Sequence, residues 1–306
     1  MPLNDTYPDG VVFVCKKDSG GKLRPGGTAF MVSVPGQFAD SRYLVTARHN
    51  VQDERETWAR VRRIGDGPPV DEPIREWLKH PRSDVAIARF DVEVPDTDVR
   101  AVPEARFADK WPHGTTFNRG DIVYFIGLLT HVETMAERSV PMVRSGRVGA
   151  LYQDDIPVQD GNLRRMEPCA HLIDSYSRGG FSGSPCFVEQ PTVVLNPAGR
   201  PVVGSYLALL GVVVGHFGSP GDNAGVAIIT PAEAIRELLN DKEMVDMRQE
   251  RDEEARKSRE DERWKHAAVT DSAAGTSEFE QFEDLTRKLV QVPKSEIDEA
   301  RKREQG

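Results

Sequence analysis

Between Val11 and Thr230, apolar residues fall into short runs divided by turn residues instead of recurring every three or four positions. Runs of that kind predict β-strands. The predicted strands are Val11–Cys15, Thr28–Val34, Tyr43–Thr46, Asp84–Phe90, Ile122–Ile126, Met142–Val148, Ala170–Ile173, Pro185–Val188, Val202–Val214 and Gly225–Ile229. Such spacing suits a barrel or a sandwich, so the fold class is all-β. The polar, proline-containing stretch from Pro95 to Gly120 is read as a bridge between two β halves.

After Thr230 the period changes. Pro231 opens a segment through Leu239 with apolar residues at helical spacing, and proline is well tolerated in a helix's first turn, so a terminal α-helix is predicted there. From Lys242 to Lys265 charges of both signs alternate and apolar residues are few, which predicts at most a solvated helix with no core of its own. Ser272 to Ser277 reads as a flexible linker. Beyond it Phe279, Phe282, Leu285, Leu289 and Val290 share one face of a short amphipathic helix at about 278–291. That face needs a partner, either the body of the protein or a regulatory protein docked through the tail.

Composition narrows the partners. The chain of 306 residues carries a formal net charge of −9, which gives no general attraction to nucleic-acid phosphates or to anionic lipid. No apolar run is long enough to span a bilayer, and Met1 to Gly10 lacks the apolar stretch of a secretory signal, so a cytoplasmic location is expected. The three cysteines, Cys15, Cys169 and Cys186, match neither a zinc-knuckle nor a redox Cys-x-x-Cys pattern and read as buried small hydrophobes in a reducing compartment. No His-x-x-x-His or comparable spacing suggests a metal, and no cofactor is expected.

The chemistry concentrates in Arg178-Gly179-Gly180-Phe181-Ser182-Gly183-Ser184-Pro185. Acyl transfer by a serine needs a hydroxyl on a tight turn, a base within reach, an acid to orient the base, and donors for the oxyanion. Glycines flanking Ser182 permit backbone conformations closed to other residues and leave amide N–H groups unobstructed. Two further segments supply the other groups. Tyr43-Leu44-Val45-Thr46-Ala47-Arg48-His49 ends a strand on a histidine, and Ser83-Asp84-Val85-Ala86-Ile87-Ala88 sets an acid directly before an alternating strand.

Together these segments resemble the G-x-S-G-[GS]-P, T-A-x-H and D-[IVL]-A-[IVL] motifs of trypsin-like (chymotrypsin-fold) serine peptidases, in the bacterial style of the HtrA-like branch but with no evident PDZ domain. The chain order His49, Asp84, Ser182 makes the set specific. The resemblance implies two six-stranded antiparallel β-barrels at about 10–100 and 120–230, a terminal helix at 231–240 closing a protease domain of 1–241, and a charged, partly helical tail at 242–306. It further implies a serine endopeptidase acting on a protein or peptide through an acyl-enzyme, with Ser182 as nucleophile, His49 as base and Asp84 as orienting acid. The amides of Gly180 and Ser182 would form the oxyanion hole.

Other segments extend the resemblance over roughly Val11 to Asn240: Gly27-Thr28-Ala29-Phe30 at an early strand, Asp174 eight residues before Ser182, Gly211 to His216 at the pocket-lining strand, and Ala224 to Thr230 at the closing strand. Substrate-binding walls would come from Tyr176, Ser177, Arg178 and Gly179 and from Val214, Gly215 and His216. Tyr176 occupies the position of the pocket carboxylate in trypsin-type enzymes, so cleavage after Lys or Arg is not expected, and His216 is a candidate for favouring an acidic P1 side chain. Two departures stand out: Arg48 where small residues are frequent, and no cysteine after His49.

Rival chemistries fit less well. An α/β-hydrolase needs G-x-S-x-G with its acid and histidine after the serine, whereas the fifth position here is Ser184 and His49 lies upstream. The alternative of another class is a catalytically silent or partner-gated protease-like module that binds or senses through its tail.

Overall fold

The computed structural model describes residues 10–53, 55–64, 67–91, 97, 100–108, 117–130, 140–160, 163–175, 180–195, 200–217 and 224–262. Every predicted strand is present, and the chain is mostly β. The N-terminal half forms one eight-stranded sheet from β1 (Val11–Lys17), β2 (Leu23–Val34), β3 (Ser41–Ala47), β4 (Thr57–Val61), β5 (Val70–Ile74), β6 (Leu78–Lys79), β7 (Val85–Arg89) and β8 (Val102–Pro103). Its order is β5-β4-β1-β2-β3-β7-β6, with β8 parallel to β2. The C-terminal half, β9 (Ile122–Leu128), β10 (Pro141–Asp160), β11 (Leu163–Asp174), β12 (Pro185–Leu195), β13 (Pro201–His216) and β14 (Val226–Pro231), closes as a six-stranded barrel in the order β10-β11-β14-β13-β12-β9.

The unbroken apolar run of β1 has a physical reason. Val12 and Val14 point into a cluster with Ala29, Met31, Leu44 and Ala86 on one face, while Phe13 and Cys15 join Phe30, Val45, Leu128 and Val212 on the other. Both faces of the strand are covered, so alternation with polar residues is absent. The second cluster unites strands from both halves, which locks the two sheets against each other. Strands β4 and β5, missing from the sequence prediction, are only five residues long; Ala59, Val61 and Ile74 join the core of the first sheet, and Arg60 grips Asp71 across the pair through two hydrogen bonds of 2.7 and 2.9 Å.

The β10–β11 hairpin is much longer than its predicted pieces. Register shifts between Val148 and Gln153 bend β10 and bring Val158 into the core that joins the halves. A Cβ on Gly215 would lie 2.6 Å from Val158 Cγ1, so the hairpin presses directly on β13.

Helix α1 (Ala232–Leu239) follows Pro231 and buries Ala232, Ala234, Ile235, Leu238 and Leu239 against the sheets. Residues 242–262 are also helical. Met244 is buried in the joining core, Arg248 donates to the Leu239 carbonyl at 2.6 Å, and Arg251 donates to the Asp40 carbonyl and pairs with Asp91, both at 3.0 Å. The compact unit accordingly runs from Met1 to Arg251, and a second unit comprises Asp252–Gly306. Within the second, the described residues carry ion pairs along one helix, Arg256 with Glu260 at 3.1 Å and Lys257 with Glu253 at 3.4 Å. The predicted linker and amphipathic segment lie outside the described residues. No helix among the described residues is long and apolar enough to cross a membrane.

Candidate active site

His49 belongs to a short 3-10 turn, Arg48–Val51, at the end of β3, and Asp84 immediately precedes the neighbouring strand β7. Because β3 and β7 pair antiparallel, the end of one and the start of the other are side by side. His49 Nδ1 lies 2.6 Å from Asp84 Oδ2, and the His49 backbone N–H donates to Asp84 Oδ1 at 2.9 Å. Asp84 is 1% exposed, while the His49 side chain keeps 13% of its surface open. A carboxylate held at Nδ1 fixes the tautomer whose free Nε2 accepts a proton.

Arg48, the departure in the motif, turns away from this pair. Its guanidinium donates to the carbonyls of His80 at 2.8 Å and Pro81 at 3.3 Å, and its N–H donates to the Asp84 carbonyl at 3.1 Å. His80 is buried, its Nδ1 accepts the Ser83 N–H at 2.8 Å, and its Nε2 meets Glu237 of α1 at 2.9 Å. The loop that delivers Asp84 is therefore tied to both β3 and the terminal helix.

Ser182 lies on a turn closed by Ser184 N–H donating to the Phe181 carbonyl at 2.9 Å. Gly180 and Gly183 adopt φ of +98° and +88°, a region in which a side chain is strained. A Cβ at Gly183 would also come 1.9 Å from the Thr28 carbonyl, so the turn has no room for one. Phe181 is fully buried in the barrel core beside Phe125 and Ile173, anchoring the turn, while Ser182 is partly exposed. The amides of Gly180 and Ser182 meet no acceptor among the described residues.

Two residues join this turn to the histidine. Asn50 Nδ2 donates to the Ser182 carbonyl at 2.9 Å and to Thr46 Oγ1 at 3.0 Å. Thr28, fully buried, donates its N–H to the Ser182 carbonyl at 2.9 Å and its hydroxyl to the Gly180 carbonyl at 2.7 Å; that hydroxyl accepts the Leu128 N–H at 3.1 Å. The site thus spans the two sheets. In the sequence Thr28 is visible only as part of a strand motif, and Asn50 carries no signal beyond its adjacency to His49.

Of the predicted substrate-binding residues, Tyr176, Ser177, Arg178 and Gly179 lie outside the described residues. Val214 falls where the β13–β14 register shifts, with its side chain buried; Gly215 and His216 follow, partly exposed. Burial pushes the His216 imidazole below its ordinary value, so near neutral pH the ring is biased towards its uncharged form. That weakens its attraction for an acidic side chain. Cys15, Cys169 and Cys186 form no disulfide, and burial pushes the Cys15 thiol up to about 12 and the Cys186 thiol well above its usual range, which keeps both protonated. No cluster of potential metal ligands occurs among the described residues.

Comparison with known proteins gives one family match: the profile described as a trypsin-like peptidase domain matches residues 27–194. Among solved structures, the HtrA-type protease AlgW with decapeptide is 16% identical with a TM-score of 0.48, the likeness covering 77% of this chain and 64% of that one. The chain thus spans less than two thirds of AlgW's length. The Rv3671c protease from M. tuberculosis in its active form is 18% identical with a TM-score of 0.45, covering 78% of this chain and 82% of that one. Its inactive form gives 18% identity and 0.43, over 76% and 88%. No curated protein matches.

Proposed function

The chain belongs to the trypsin-like peptidase family, and from that premise we propose that it is a serine endopeptidase using Ser182, His49 and Asp84 as its triad. Ser182 Oγ attacks the scissile carbonyl of a protein or peptide while His49 Nε2 takes its proton. The imidazolium so formed is stabilised by Asp84, fixed at 2.6 Å from Nδ1. Negative charge developing on the carbonyl oxygen is met by the N–H groups of Gly180 and Ser182. Collapse of the tetrahedral intermediate expels the amine, protonated by His49, and water then releases the acyl group by the same steps in reverse.

The observation that carries this reading is that one short turn serves both halves of the chemistry. His49 grips Asp84, and its chain neighbour Asn50 donates to the carbonyl of Ser182 at 2.9 Å. Gly215 and His216, at the end of β13, are proposed to receive the substrate backbone. No carboxylate among them favours a basic P1 residue. Three free cysteines agree with a cytoplasmic setting.

The direct test is labelling with an alkyl fluorophosphonate. Wild-type protein should form a stoichiometric adduct that Ser182→Ala abolishes without loss of the folded state. A wild-type protein that is folded and yet never labelled would refute the enzymatic assignment and leave a binding or sensing role. Residues 252–306 take no part in the chemical steps; their role as a regulatory contact predicts that deleting them leaves labelling intact.

A further inference from the structure

Behind the His49–Asp84 pair stand two charged side chains that acyl transfer does not itself require. Arg165 and Glu167 lie two apart on β11, so both point to the same face of that strand. The Arg165 guanidinium contacts Asp84 Oδ2, the oxygen that also meets His49 Nδ1, and its Nη2 donates to the Val214 carbonyl at 2.8 Å. Glu167 is fully buried, accepts the Asp84 backbone N–H at 3.0 Å, and lies 3.4 Å from Arg165 Nη1. Asp84 is therefore held from three directions, and one of the holders also grips the strand proposed to receive substrate.

A cation touching Asp84 has an electrostatic cost for catalysis. It offsets the negative charge that must stabilise the His49 imidazolium, and in a buried setting the offset is weakly screened. We propose that Arg165 and Glu167 are positioning residues for Asp84: Arg165 ties it to the Val214 carbonyl, and the Glu167 carboxylate balances the Arg165 charge so that Asp84 keeps its hold on His49. This rests on the assignment of Ser182, His49 and Asp84 as the triad.

Among the described residues, the groups that act on Glu167 are Asp84 from the turn before β7, Arg165 on its own strand and the Thr230 hydroxyl on β14, while the residue opposite on β10 is the apolar Ile156. Burial pushes the Glu167 carboxyl up to about 7, with the Thr230 hydroxyl and Arg165 pulling against it and the Asp84 charge adding to it. The balancing charge consequently appears as pH rises through neutrality.

Two measurements on the full chain test this. The first is the rate of fluorophosphonate labelling at pH 6 and pH 8.5 in wild type and Glu167→Gln, which preserves an acceptor for the Asp84 N–H. The rates should agree within about twofold at pH 6 and differ by about tenfold at pH 8.5, the effect of one charge worth about one pH unit at the imidazole. Removing the uncompensated cation in the double variant Arg165→Gln/Glu167→Gln should recover most of the loss, whereas purely structural roles would make it worse than either single change. The second follows the His49 ring by NMR, which needs no turnover: its titration should move to lower pH in Glu167→Gln, by less than one unit because Glu167 itself gains its proton near pH 7. Labelling of Ser182 together with an unmoved His49 titration would overturn the positioning role and leave the triad standing. An unlabelled Ser182 with a shifted His49 titration would do the reverse.

Discussion

Replacing Thr28 by valine deletes one hydroxyl while keeping the side chain's shape. That hydroxyl donates to the Gly180 carbonyl at 2.7 Å and accepts the Leu128 N–H at 3.1 Å, and no part of Thr28 reaches solvent. Both backbone groups would lose a partner inside the protein, each at about 1–3 kcal/mol, and the added methyl returns about 0.8 kcal/mol of apolar burial. The expected net loss is about 1–5 kcal/mol. Urea unfolding should show it as a lower midpoint with an unchanged slope, because the surface exposed on unfolding is the same. Function should suffer separately. The Gly180 carbonyl is what Thr28 holds still, and the adjacent Gly180 N–H is a proposed oxyanion donor, so fluorophosphonate labelling should slow by about tenfold or more. Thr28→Ser keeps the hydroxyl and should recover most of both losses. A valine variant within about 0.5 kcal/mol of wild type, labelled at the same rate, would refute the idea that Thr28 couples the first sheet to the Ser182 turn.

Further outcomes follow from the same geometry. His49→Ala and Asp84→Asn should each reduce labelling by about a thousandfold or more, since members of one catalytic unit lose nearly everything singly, and Asp84→Asn should also lower the melting temperature because Arg165 loses the buried carboxylate it pairs with; near-normal labelling of the Asp84 variant would point to another acid. Gly183→Ala forces a Cβ to within 1.9 Å of the Thr28 carbonyl at φ +88°, and should cost about 3 kcal/mol or more, read by urea denaturation. Glu167, buried and raised from 4.5 to about 7, keeps its proton in the folded state where the unfolded chain has lost it. Stability should therefore fall as pH rises from about 4.5 to about 7 and level off above, by on the order of 3 kcal/mol at about 1.4 kcal/mol per pH unit. Denaturation curves at pH 5 and pH 8 should show this component in wild type and lack it in Glu167→Gln.

The β framework was legible because burial on one or both faces of a strand leaves a local mark. Val11 to Cys15 could be read as a strand from its apolar run alone, and Pro231 with its helical spacing announced α1. Strands β4 and β5 left a weaker mark, since each is only five residues long and mixes the buried Ala59, Val61 and Ile74 with the charged pair Arg60 and Asp71. At the site, His49, Asp84 and Ser182 were visible because each lies in a short segment whose glycines, strand ending or strand start constrain its neighbours. The residues that align those segments were not visible as such. Thr28, Asn50, Arg165 and Glu167 act on groups brought close only by packing one sheet against the other, and each is locally an ordinary polar residue.

The same division holds for the whole protein. By itself the sequence determined the all-β class, the terminal helix and the order in which a base, an acid and a hydroxyl appear along the chain, because local periodicity and glycine's conformational freedom act between near neighbours. Only the tertiary structure decided that His49 meets Asp84 at 2.6 Å, that Asn50 and Thr28 hold Ser182 by its carbonyl, and that a partly buried guanidinium and a buried carboxyl stand behind the acid. Hydrogen bonds and ion pairs depend on distance in space, and a chain folded into two packed sheets sets that distance independently of separation along the sequence.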